Sequence, residues 1–577
     1  MNCKKAILAV ILAILLIFAA ACQSNGGNGG TSGGGTSSGS VAAEISSKED
    51  MFTTRDQTPD YDKESAIYVN LNGDTASCES NGVTIDSNVV TITKEGTYVL
   101  TGTLDGQIII NAEKTEKIQL VLSGATVTNT ASAAIYIKQA DKVFLMIEDG
   151  TENSLSSYGE FVAIDENNVD GAIFSKEDLT VNGSGKLNVY CESGHGIVSK
   201  DDLVITGGVI SVEAKKHALS GKDCVKIENV ELSLTAGKDG IHSENEDDTT
   251  LGYVYIASGR IVFNVESDGI DASCTIEIAD GNFSGTCGGK GIKADGKVTV
   301  VGGTFEITSA DDSLHSNASM IMAGGTITVA SGDDGFHADE TLYISGGDIT
   351  VTESYEGLEG EVVEITGGNI NVTASDDGIN AAGGNDESGF GGPFGDRFGG
   401  SSDSAIKISG GTIYVDAGGD GVDSNGDIYI SGGEIYVSGA TNGGDSPLDY
   451  DGIATITGGT FVATGYSGMA QNFGSNSTQG SILVNLSSTT TKEVKITDES
   501  GNVLASYTPA KNYNSVVISA AGLKKGGTYT LTAGGTTTSI TLTSLICGEG
   551  MGGGPGGNPG GTGGNPGGFG GGPGGRR

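Results

Sequence analysis

The 577-residue sequence contains no tryptophan, and only 6% of its residues are aromatic. Without tryptophan, the usual flat platform for stacking a sugar ring is missing, so tyrosine or phenylalanine would have to supply any such contact. Proline is also scarce, with 8 residues in the whole chain. Because proline cannot donate a ladder hydrogen bond, its scarcity is compatible with a long continuous β-sheet.

Positive charge is in short supply as well. The 31 Lys and Arg residues face 73 Asp and Glu residues, which gives a formal net charge of -42. Such a chain repels phosphate groups, so nucleic acid is excluded as a partner. The same repulsion opposes direct ion pairing with an acidic polysaccharide unless a cation bridges the two.

The 8 cysteines are scattered singly, and no Cys-x-x-Cys pair occurs. Zinc and dithiol redox motifs are therefore not indicated. The last six cysteines are expected to be free, small, buried apolar residues.

Glycine is abundant, with 98 residues, and it marks a 22-residue repeat between about Gly171 and Gly468. Midway through each repeat lies a second turn of the form acidic-Gly-aliphatic-polar. Glycine pairs close successive repeats at Gly302-Gly303, Gly324-Gly325 and Gly346-Gly347. A repeat this short, with alternating apolar runs, predicts an all-β, single-stranded parallel β-helix of about twelve rungs.

The first residues have the features of a secretory signal, because Lys4 and Lys5 precede an apolar run from Ala6 to Ala20. The sequence Ala19-Ala20-Ala21-Cys22 resembles a bacterial lipoprotein box, which predicts lipidation at Cys22. The expected location is therefore extracellular, with a lipid anchor in the bacterial membrane. Plain secretion after cleavage behind Ala21 is the alternative.

Composition divides the rest of the chain. The predicted units are a lipoprotein signal peptide at 1–21, a Gly/Ser linker at 22–50, an N-terminal β cap with early rungs at 51–165, a parallel β-helix at 166–470, a C-terminal β cap or small β domain at 471–547, and a disordered Gly/Pro tail at 548–577.

The repeat is interrupted near residues 245–252, 383–403 and 440–450. The first two insertions follow the same turn, so we expect them to project from one corner of the rod. The second contains Phe390, Phe394 and Phe398 among glycines. It is interpreted either as a disordered loop or as a lid that presents aromatic rings to a ligand.

Stacked rungs place equivalent residues in columns. The residue before each turn glycine is mostly acidic up to Asp451, and the residue three positions later is acidic at Asp271, Glu359 and Asp423. Two carboxylates one rung apart, at about 4.8 Å, repel by about 3.5 kcal/mol at an effective dielectric near 20. Oxygen ligands on flexible glycine turns suit Ca²⁺, which is the predicted cofactor. A turn-stabilising role is the alternative for any single Asp. The predicted metal ligands are Asp268, Asp271, Asp311, Asp312, Asp333, Asp334, Glu356, Asp376, Asp377, Asp420 and Asp423.

All five histidines fall in the same two columns, with too little clustering to predict zinc. Lys290 and Lys293 interrupt the acids, and two interpretations are open for them. They neutralise the column, or they provide a base beside a metal, although acidic neighbours would keep a lysine protonated. Lys290, Lys293, His315 and His337 are the predicted ligand-binding residues, and no catalytic residue is assigned.

The repeated glycine rungs, the doublets Asp311-Asp312 and Asp333-Asp334, and the early segments 96–104 and 132–137 resemble a bacterial family. Its members are calcium-binding, cell-surface β-helix proteins described as carbohydrate-binding, and they are similar to family 9 pectate lyases. The resemblance covers about 54–468. It implies a right-handed β-helix, Ca²⁺ sites, and binding of plant cell-wall polysaccharide such as cellulose or polygalacturonate (pectin). The lyases have an acid where this chain has His315 and His337.

Three functions follow as hypotheses. The first is a calcium-dependent carbohydrate-binding protein in which Ca²⁺ joins the protein's carboxylates to uronates. The second is a calcium-dependent pectate lyase acting by β-elimination. The third is a structural adhesin or spacer. The expected partners are a polysaccharide and the membrane, with no nucleic acid, and the chain is expected to be a monomer.

Overall fold

A computed structural model describes residues 43–382 and 403–548. The signal segment, Cys22, the Phe390–Phe398 insertion and nearly all of the Gly/Pro tail lie outside the described residues, so the predictions for them stay predictions. Two single-turn helices, α1 (Lys48–Met51) and α2 (Thr54–Gln57), precede a chain of β-strands. In the described part of the chain, no helix is long and apolar enough to span a membrane.

The strands follow one another in a cycle of three, and each pairs with the equivalent strand of the next coil. The first ladder, called the turn ladder here, carries the acidic-Gly turns. It consists of β4 (Val89–Ile92), β6 (Gln107–Asn111), β8 (Ile135–Gln139), β11 (Gly171–Ser175), β14 (His195–Ser199), β17 (Leu219–Gly221), β20 (Ile241–Ser243), β23 (Ile270–Ala272), β26 (Ile292–Ala294), β29 (Leu314–Ser316), the first halves of β32 (Phe336–Ile344) and β34 (Leu358–Ile365), β36 (Ile379–Ala381), β39 (Val422–Ser424) and β42 (Asp449–Tyr450).

The second ladder runs down the next side of the coil. It consists of β9 (Lys142–Ile147), β12 (Asp178–Gly183), β15 (Asp202–Ile205), β18 (Cys224–Ile227), β21 (Tyr253–Ile256), β24 (Ile276–Ile278), β27 (Val298–Val300), β30 (Met320–Met322), the second halves of β32 and β34, β37 (Ala405–Ile408), β40 (Asp427–Ile430) and β43 (Ala454–Ile456).

The third ladder completes each coil. It consists of β10 (Glu152–Ser157), β13 (Lys186–Cys191), β16 (Val209–Ala214), β19 (Glu231–Ala236), β22 (Arg260–Val265), β25 (Asn282–Cys287), β28 (Thr304–Ser309), β31 (Thr326–Ala330), β33 (Asp348–Glu353), β35 (Asn369–Ala374), β38 (Thr412–Ala417), β41 (Glu434–Ser438) and β44 (Thr460–Gly465).

These ladders are parallel throughout, as in the pairing of β26 with β29 and of β29 with β32. The chain is therefore all-β with a long, mostly parallel sheet, which is consistent with the predicted β-helix. At the N-terminal end, β1 (Ile67–Gly73), β5 (Gly96–Asp105) and β7 (Lys117–Asn129) pair in parallel with one another. β7 joins two ladders, because its first half pairs with β9 and its second half pairs with β10. Short antiparallel pairings of β2 (Ala76–Ser77) and β3 (Val83–Asp86) lie beside them.

Register creates the core, because each inward aliphatic residue stacks on its equivalent one coil away. The turn ladder contributes an unbroken apolar file in which Ile292, Leu314 and Phe336 are each 0% exposed. A fully buried side chain of this size contributes roughly 1.5–3 kcal/mol relative to leaving it in water. The outward residues alternate with these, as the pattern of β16 shows.

The glycine pairs have a steric reason. The second glycine of each pair has a positive φ, as in Gly347 at 99°. The first has no space for a side chain, because a Cβ on Gly324 would lie 2.5 Å from the carbonyl oxygen of Val301 in the preceding coil. Close stacking of the corners therefore explains why this dipeptide recurs at the repeat length.

The C-terminal segment closes the last coil with strands that pair antiparallel, except for the short parallel pairing of its last strand. β48 (Tyr513–Ser519) pairs with β44 and with β45 (Ser481–Thr490), and β51 (Ile546–Cys547) pairs with β45. A separate four-stranded sheet follows the order β47 (Val503–Tyr507), β46 (Val494–Thr497), β49 (Thr528–Ala533), β50 (Thr536–Thr541). The six cysteines from Cys78 to Cys547 are free, and Cys191, Cys224 and Cys287 are buried.

Part of the predicted linker lies against the coil. The backbone N–H of Ser46 donates to Glu277 at 2.7 Å, and Phe52 packs against Tyr255 with ring centroids 5.9 Å apart. Residues 46–57 therefore cover part of the second ladder, which composition alone did not indicate.

Asp56 anchors this covering segment. Its carboxylate is 2% exposed, lies 2.9 Å from Lys142 Nζ, and accepts a hydrogen bond of 2.6 Å from the Thr180 hydroxyl. Burial alone would raise the pKa of Asp56, but the hydrogen bonds from Thr180 and Thr53 and the Lys142 charge bring it below its ordinary value.

We expect Asp56→Asn to lower the free energy of unfolding by about 3 kcal/mol at pH 7, because the buried Lys142 ammonium loses its counter-charge. A folded-state pKa below the unfolded one stabilises the protein above the unfolded pKa, and this contribution is lost as pH falls through the folded pKa. The difference between variant and wild type should therefore narrow below about pH 4. Urea unfolding at several pH values measures it.

Asp141→Asn is the matched control, because Asp141 pairs with Lys117 on the surface, where both side chains are over 40% exposed. That variant should change the free energy of unfolding by less than about 1 kcal/mol. Equal effects of the two substitutions would contradict the anchoring role of Asp56.

Candidate functional site

The predicted columns exist as physical files at one edge of the turn ladder, called the turn edge here. The first file contains the residue that follows the buried apolar residue of each turn, and adjacent strands hold its members in register. The paired residues run His242, Asp271, Lys293, His315, His337, Glu359, Asn380, Asp423 and Asp449.

The second file contains the residue that directly precedes the glycine, or its equivalent, in each turn. The N–H of Gly291 donates to the Asp312 carbonyl at 2.9 Å, and the N–H of Ser313 donates to the Asp334 carbonyl at 3.0 Å. The same pattern repeats from Ala218 to Gly421. Side chains of successive coils therefore lie directly above one another along both files.

The prediction for the last turn is wrong. The N–H of Gly421 donates to the Ser446 carbonyl, and Asp423 is in register with Asp449. Asp451 lies further along the coil, where its N–H donates to the Ser424 carbonyl. The expansion at residues 440–450 shifts the repeat, so the Asp-Gly pair that resembled a turn belongs to the next corner.

The N-terminal third of the turn edge is a stack of imidazoles. Ring centroids lie 5.0 Å apart for His195 and His217, and 4.1 Å apart for His217 and His242. Asp239 Oδ2 lies 2.8 Å from His217 Nδ1 and 3.1 Å from His242 Nδ1. One carboxylate thus bridges two rings, and the histidines are more closely grouped than the sequence suggested.

Charge in this stack is divided unevenly. Burial lowers the pKa of His195 to about 2, and burial together with the neighbouring imidazole lowers that of His217. Burial also opposes the charged form of His242, but hydrogen bonds to Asp239 and Asp271 outweigh it and raise the pKa to about 9. At neutral pH, His242 is therefore the protonated member.

In the middle third, a lysine and a histidine of the chain itself contact the carboxylates of one acidic doublet. Lys290 Nζ lies 2.6 Å from Asp312 Oδ2 and 3.1 Å from Asp311 Oδ1. His315 Nδ1 lies 2.7 Å from the same Asp312 oxygen. Burial would raise the pKa of Asp312, but His315 and Lys290 lower it below its ordinary value. Asp268 accepts the Lys290 N–H at 2.6 Å.

His337 continues this pairing one coil later. Its Nδ1 lies 3.0 Å from Asp334 Oδ2 and 2.7 Å from Glu359 Oε2, while Nε2 lies 3.1 Å from Asp339. Asp334 Oδ1 is buried, and no described residue forms a hydrogen bond with it. Burial raises the pKa of Asp334 well above its usual range, and the proximity of Glu359 adds to it. One imidazole therefore does not satisfy both carboxylates.

The C-terminal third, called the acidic segment here, consists of Glu356, Asp377, Asn380, Asp420 and Asp423. Asn380 Nδ2 donates to Glu356 Oε2 at 2.7 Å. Asn380 Oδ1 is buried and has no hydrogen-bond partner among residues 43–382 and 403–548. Asp377 Oδ1 accepts the Asp420 N–H at 2.5 Å. Carboxylates here face other carboxylates across successive coils.

Burial and the crowding of carboxylates raise the pKa values of Glu356, Asp377 and Asp420. Burial first, and then Glu359, Asp334 and Asp377, raise the pKa of Glu356 well above its usual range. Burial and the nearby Asp423 and Asp420 do the same for Asp377. Asp420 is raised to about 8 by burial and by Asp423. The charged forms of these groups are destabilised when only protein surrounds them.

The residues of the acidic segment fit Ca²⁺ better than those of the other two thirds. Its donors are carboxylate and amide oxygens, which Ca²⁺ prefers. Asn380 is 5% exposed, and its side-chain oxygen, beside Glu356, is left without a hydrogen bond by the residues that the structure describes. In the middle third, Lys290 and His315 already occupy the carboxylates of Asp311 and Asp312.

The two lysines do not resemble free bases. Lys290 contacts two carboxylates, and Lys293 Nζ lies 3.2 Å from Asp271. Burial would lower the pKa of Lys293, but the charge and hydrogen bond of Asp271 raise it above the ordinary value. The geometry favours the charge-neutralising interpretation of this pair.

The predicted site residues therefore lie on one edge but divide by environment. Asp268, Asp271, Asp311 and Asp312 lie beside lysine or histidine. Asp333 is grouped with Asp311 and Asp312, with candidate oxygens within 4.8 Å of one another. Asp376 lies at the turn of the acidic segment, where its N–H donates to the Tyr355 carbonyl. Asn380 was not predicted as a metal ligand, although its position in the acidic column could have identified it.

Known proteins resemble the N-terminal and central parts of this chain. The sequence profile of a family described as "Carbohydrate-binding domain-containing protein" matches residues 86–335. A protein of Acetivibrio thermocellus with the same description is 34% identical over 201 residues, which is 34% of this chain and 70% of that protein. The chain belongs to this carbohydrate-binding domain-containing family.

A solved structure is also similar, described as a polysaccharide lyase-like protein from C. thermocellum in a gadolinium derivative. It shares 35% sequence identity and a TM-score of 0.40, over 41% of this chain and 96% of that chain. The family match, at residues 86–335, includes the imidazole stack and the Lys290 group but ends before the acidic segment.

We expect Lys290→Met to lower the free energy of unfolding by about 3 kcal/mol, because Asp312 stays buried after its cation is removed. Added Ca²⁺ should recover more stability in this variant than in wild type, since the oxygens of Asp311 and Asp312 that Lys290 contacts become available. Urea unfolding with calcium chloride or a chelator measures both effects.

Lys222→Met provides the control, because Lys222 pairs with an Asp247 side chain that is 81% exposed. A surface pair of this kind contributes less than about 1 kcal/mol. If the Lys290 variant were no less stable than the Lys222 variant, the neutralising role of Lys290 would be wrong.

Proposed function

We propose that this protein is an extracellular, lipid-anchored, calcium-dependent binding protein for acidic polysaccharides, with polygalacturonate of plant cell walls as the first candidate. Membership of a carbohydrate-binding domain-containing family supports a polysaccharide ligand. Cellulose is the neutral alternative. The anchor is proposed on Cys22, and a monomer is the proposed state.

The observation that carries the calcium proposal is the Asn380 side-chain oxygen, which lies buried in the acidic segment and accepts no hydrogen bond from any residue that the structure describes. Asn380 is in register with Glu359 on one side and Asp423 on the other, and it holds Glu356 through its amide nitrogen. Glu356, Asn380, Asp377 and Asp423 are the residues that would hold Ca²⁺. When bound, the ion would cancel charge between coils and offer its remaining positions to a carboxylate of the ligand.

A bound cation would also overcome the repulsion between this acidic protein and an acidic polysaccharide. A protein of net charge -42 repels a polyuronate, and a cation held at the turn edge converts one face into an attractive one. The protein's own part is to align oxygens at the coil spacing of about 4.8 Å. The files run along the coil, so a polysaccharide would lie lengthwise on this edge.

The test is the binding of polygalacturonate measured by isothermal titration calorimetry with Ca²⁺ and with a chelator. We expect binding in Ca²⁺ and at least a tenfold loss in chelator. The double substitution Glu356→Gln with Asn380→Ala should reduce the Ca²⁺-induced increase in unfolding temperature as well as polygalacturonate binding.

Asp498→Asn, on the exposed turn after β46, is the control and should leave both measurements unchanged. Unaltered polygalacturonate binding in chelator would exclude the calcium bridge. Release of unsaturated products that absorb in the near ultraviolet would instead support the lyase hypothesis. No binding to polygalacturonate or cellulose would favour the spacer.

A further inference from the structure

A cleft of about 610 Å³ lies between the third ladder and the C-terminal four-stranded sheet. Its floor consists of residues 371–373 of β35 and 414–416 of β38, with Tyr436 of β41 beside them. Its wall is residues 506–508 and Ala510. This volume is within the range of roughly 300–1,000 Å³ that is typical of small-molecule sites.

Three tyrosines line this cleft as a ladder. The rings of Tyr414 and Tyr436 stack with centroids 5.1 Å apart and planes 17° apart. Tyr436 meets Tyr507 of the C-terminal sheet at 5.4 Å. In a chain without tryptophan, this is a stacked aromatic surface bordering a cavity.

Within the described part of the chain, the Tyr414 ring has a stacked aromatic neighbour on one side only. Tyr414 lies between Asn371 on one side and Tyr436 on the other. Tyr436 covers one face of the ring, whereas the shorter Asn371 is on the opposite side, and Tyr414 remains 41% exposed. The ring of Tyr414 therefore presents an open face to the cleft on the side of Asn371.

The polar groups around the cleft are held in place. Lys511 Nζ lies 2.8 Å from Asp416 Oδ1, so this carboxylate is neutralised locally. The Ser438 hydroxyl bonds with the Tyr507 hydroxyl at 2.8 Å and accepts the Ala510 N–H at 3.0 Å. The wall is thus fixed to the coil, while Asp416 and Asn371 supply acceptors and donors at the floor.

We propose that this cleft binds one pyranose unit of a polysaccharide, with the apolar face of the sugar stacked on Tyr414 and its hydroxyls bonded to Asn371 and Asp416. Sugars present a C–H face and a polar rim, which is the chemistry that a tyrosine flanked by an amide and a carboxylate matches. Because Lys511 already balances the charge of the Asp416 carboxylate, this cleft binds the sugar without Ca²⁺.

This inference rests on the proposed carbohydrate binding but not on its calcium site. The cleft also lies beyond residues 86–335, so the family match does not assign it. A purely structural role for the tyrosines, joining the C-terminal sheet to the coil, would account for Tyr436 and Tyr507. It would not account for Tyr414, whose ring extends past the interface and stays exposed.

The test compares Tyr414→Ala with Tyr414→Phe by affinity electrophoresis in gels that contain polygalacturonate or hydroxyethylcellulose, with and without calcium. The Ala variant should bind about tenfold more weakly to at least one polymer, whereas Phe, which keeps the ring, should stay within about twofold of wild type. The residual binding of Tyr414→Ala should keep the calcium dependence of wild type.

Asn371→Tyr is a second variant that leaves Tyr414 in place but covers its open face, and it should weaken binding in the same way. Tyr429→Ala is the matched control, because Tyr429 is 43% exposed on the second ladder, outside the cleft. Wild-type binding by both Tyr414→Ala and Asn371→Tyr would overturn this inference alone. Absence of binding by wild type to both polymers would overturn it together with the proposed function.

Discussion

The structure depends on one constraint, which is that parallel strands in register place equivalent side chains of successive coils about 4.8 Å apart. For aliphatic residues this constraint is favourable, and the file through Ile292, Leu314 and Phe336 forms a continuous core. The same spacing requires the glycine pairs for steric reasons, since the corner of each coil lies against a backbone carbonyl of the preceding coil. For carboxylates the same spacing produces repulsion.

The turn edge deals with that repulsion in different ways along its length. In the N-terminal third, Asp239 bridges two imidazoles, and in the middle third Lys290 and His315 share Asp312. Past His337 the chain's own cations become scarce among the described contacts, and buried acids such as Glu356 and Asp377 have raised pKa values. The same repeat therefore produces two kinds of environment on the turn edge. In one, the chain's own lysine and histidine side chains contact the acids, and in the other, the acids lie mainly beside other acids.

Much of the fold was predictable, because a 22-residue period records the coil directly in the sequence. The same period contained the signal for the tyrosine ladder, since Tyr414 and Tyr436 occupy one position of neighbouring repeats. That signal was missed because the acids dominated the pattern. Asp451 was misplaced for the opposite reason: an Asp-Gly dipeptide resembles a turn, and only the register shows that the expansion at residues 440–450 moved the repeat.

The sequence by itself determined which side chains share a file, because periodicity along the chain becomes position along the coil. Only the tertiary structure decided how each file is neutralised, which face of Tyr414 is open, and that residues 46–57 lie against the second ladder. These features depend on rotamers and on contacts between residues far apart in the chain, such as Asp56 with Lys142 and Tyr436 with Tyr507. No repeat in the sequence encodes distances of that kind.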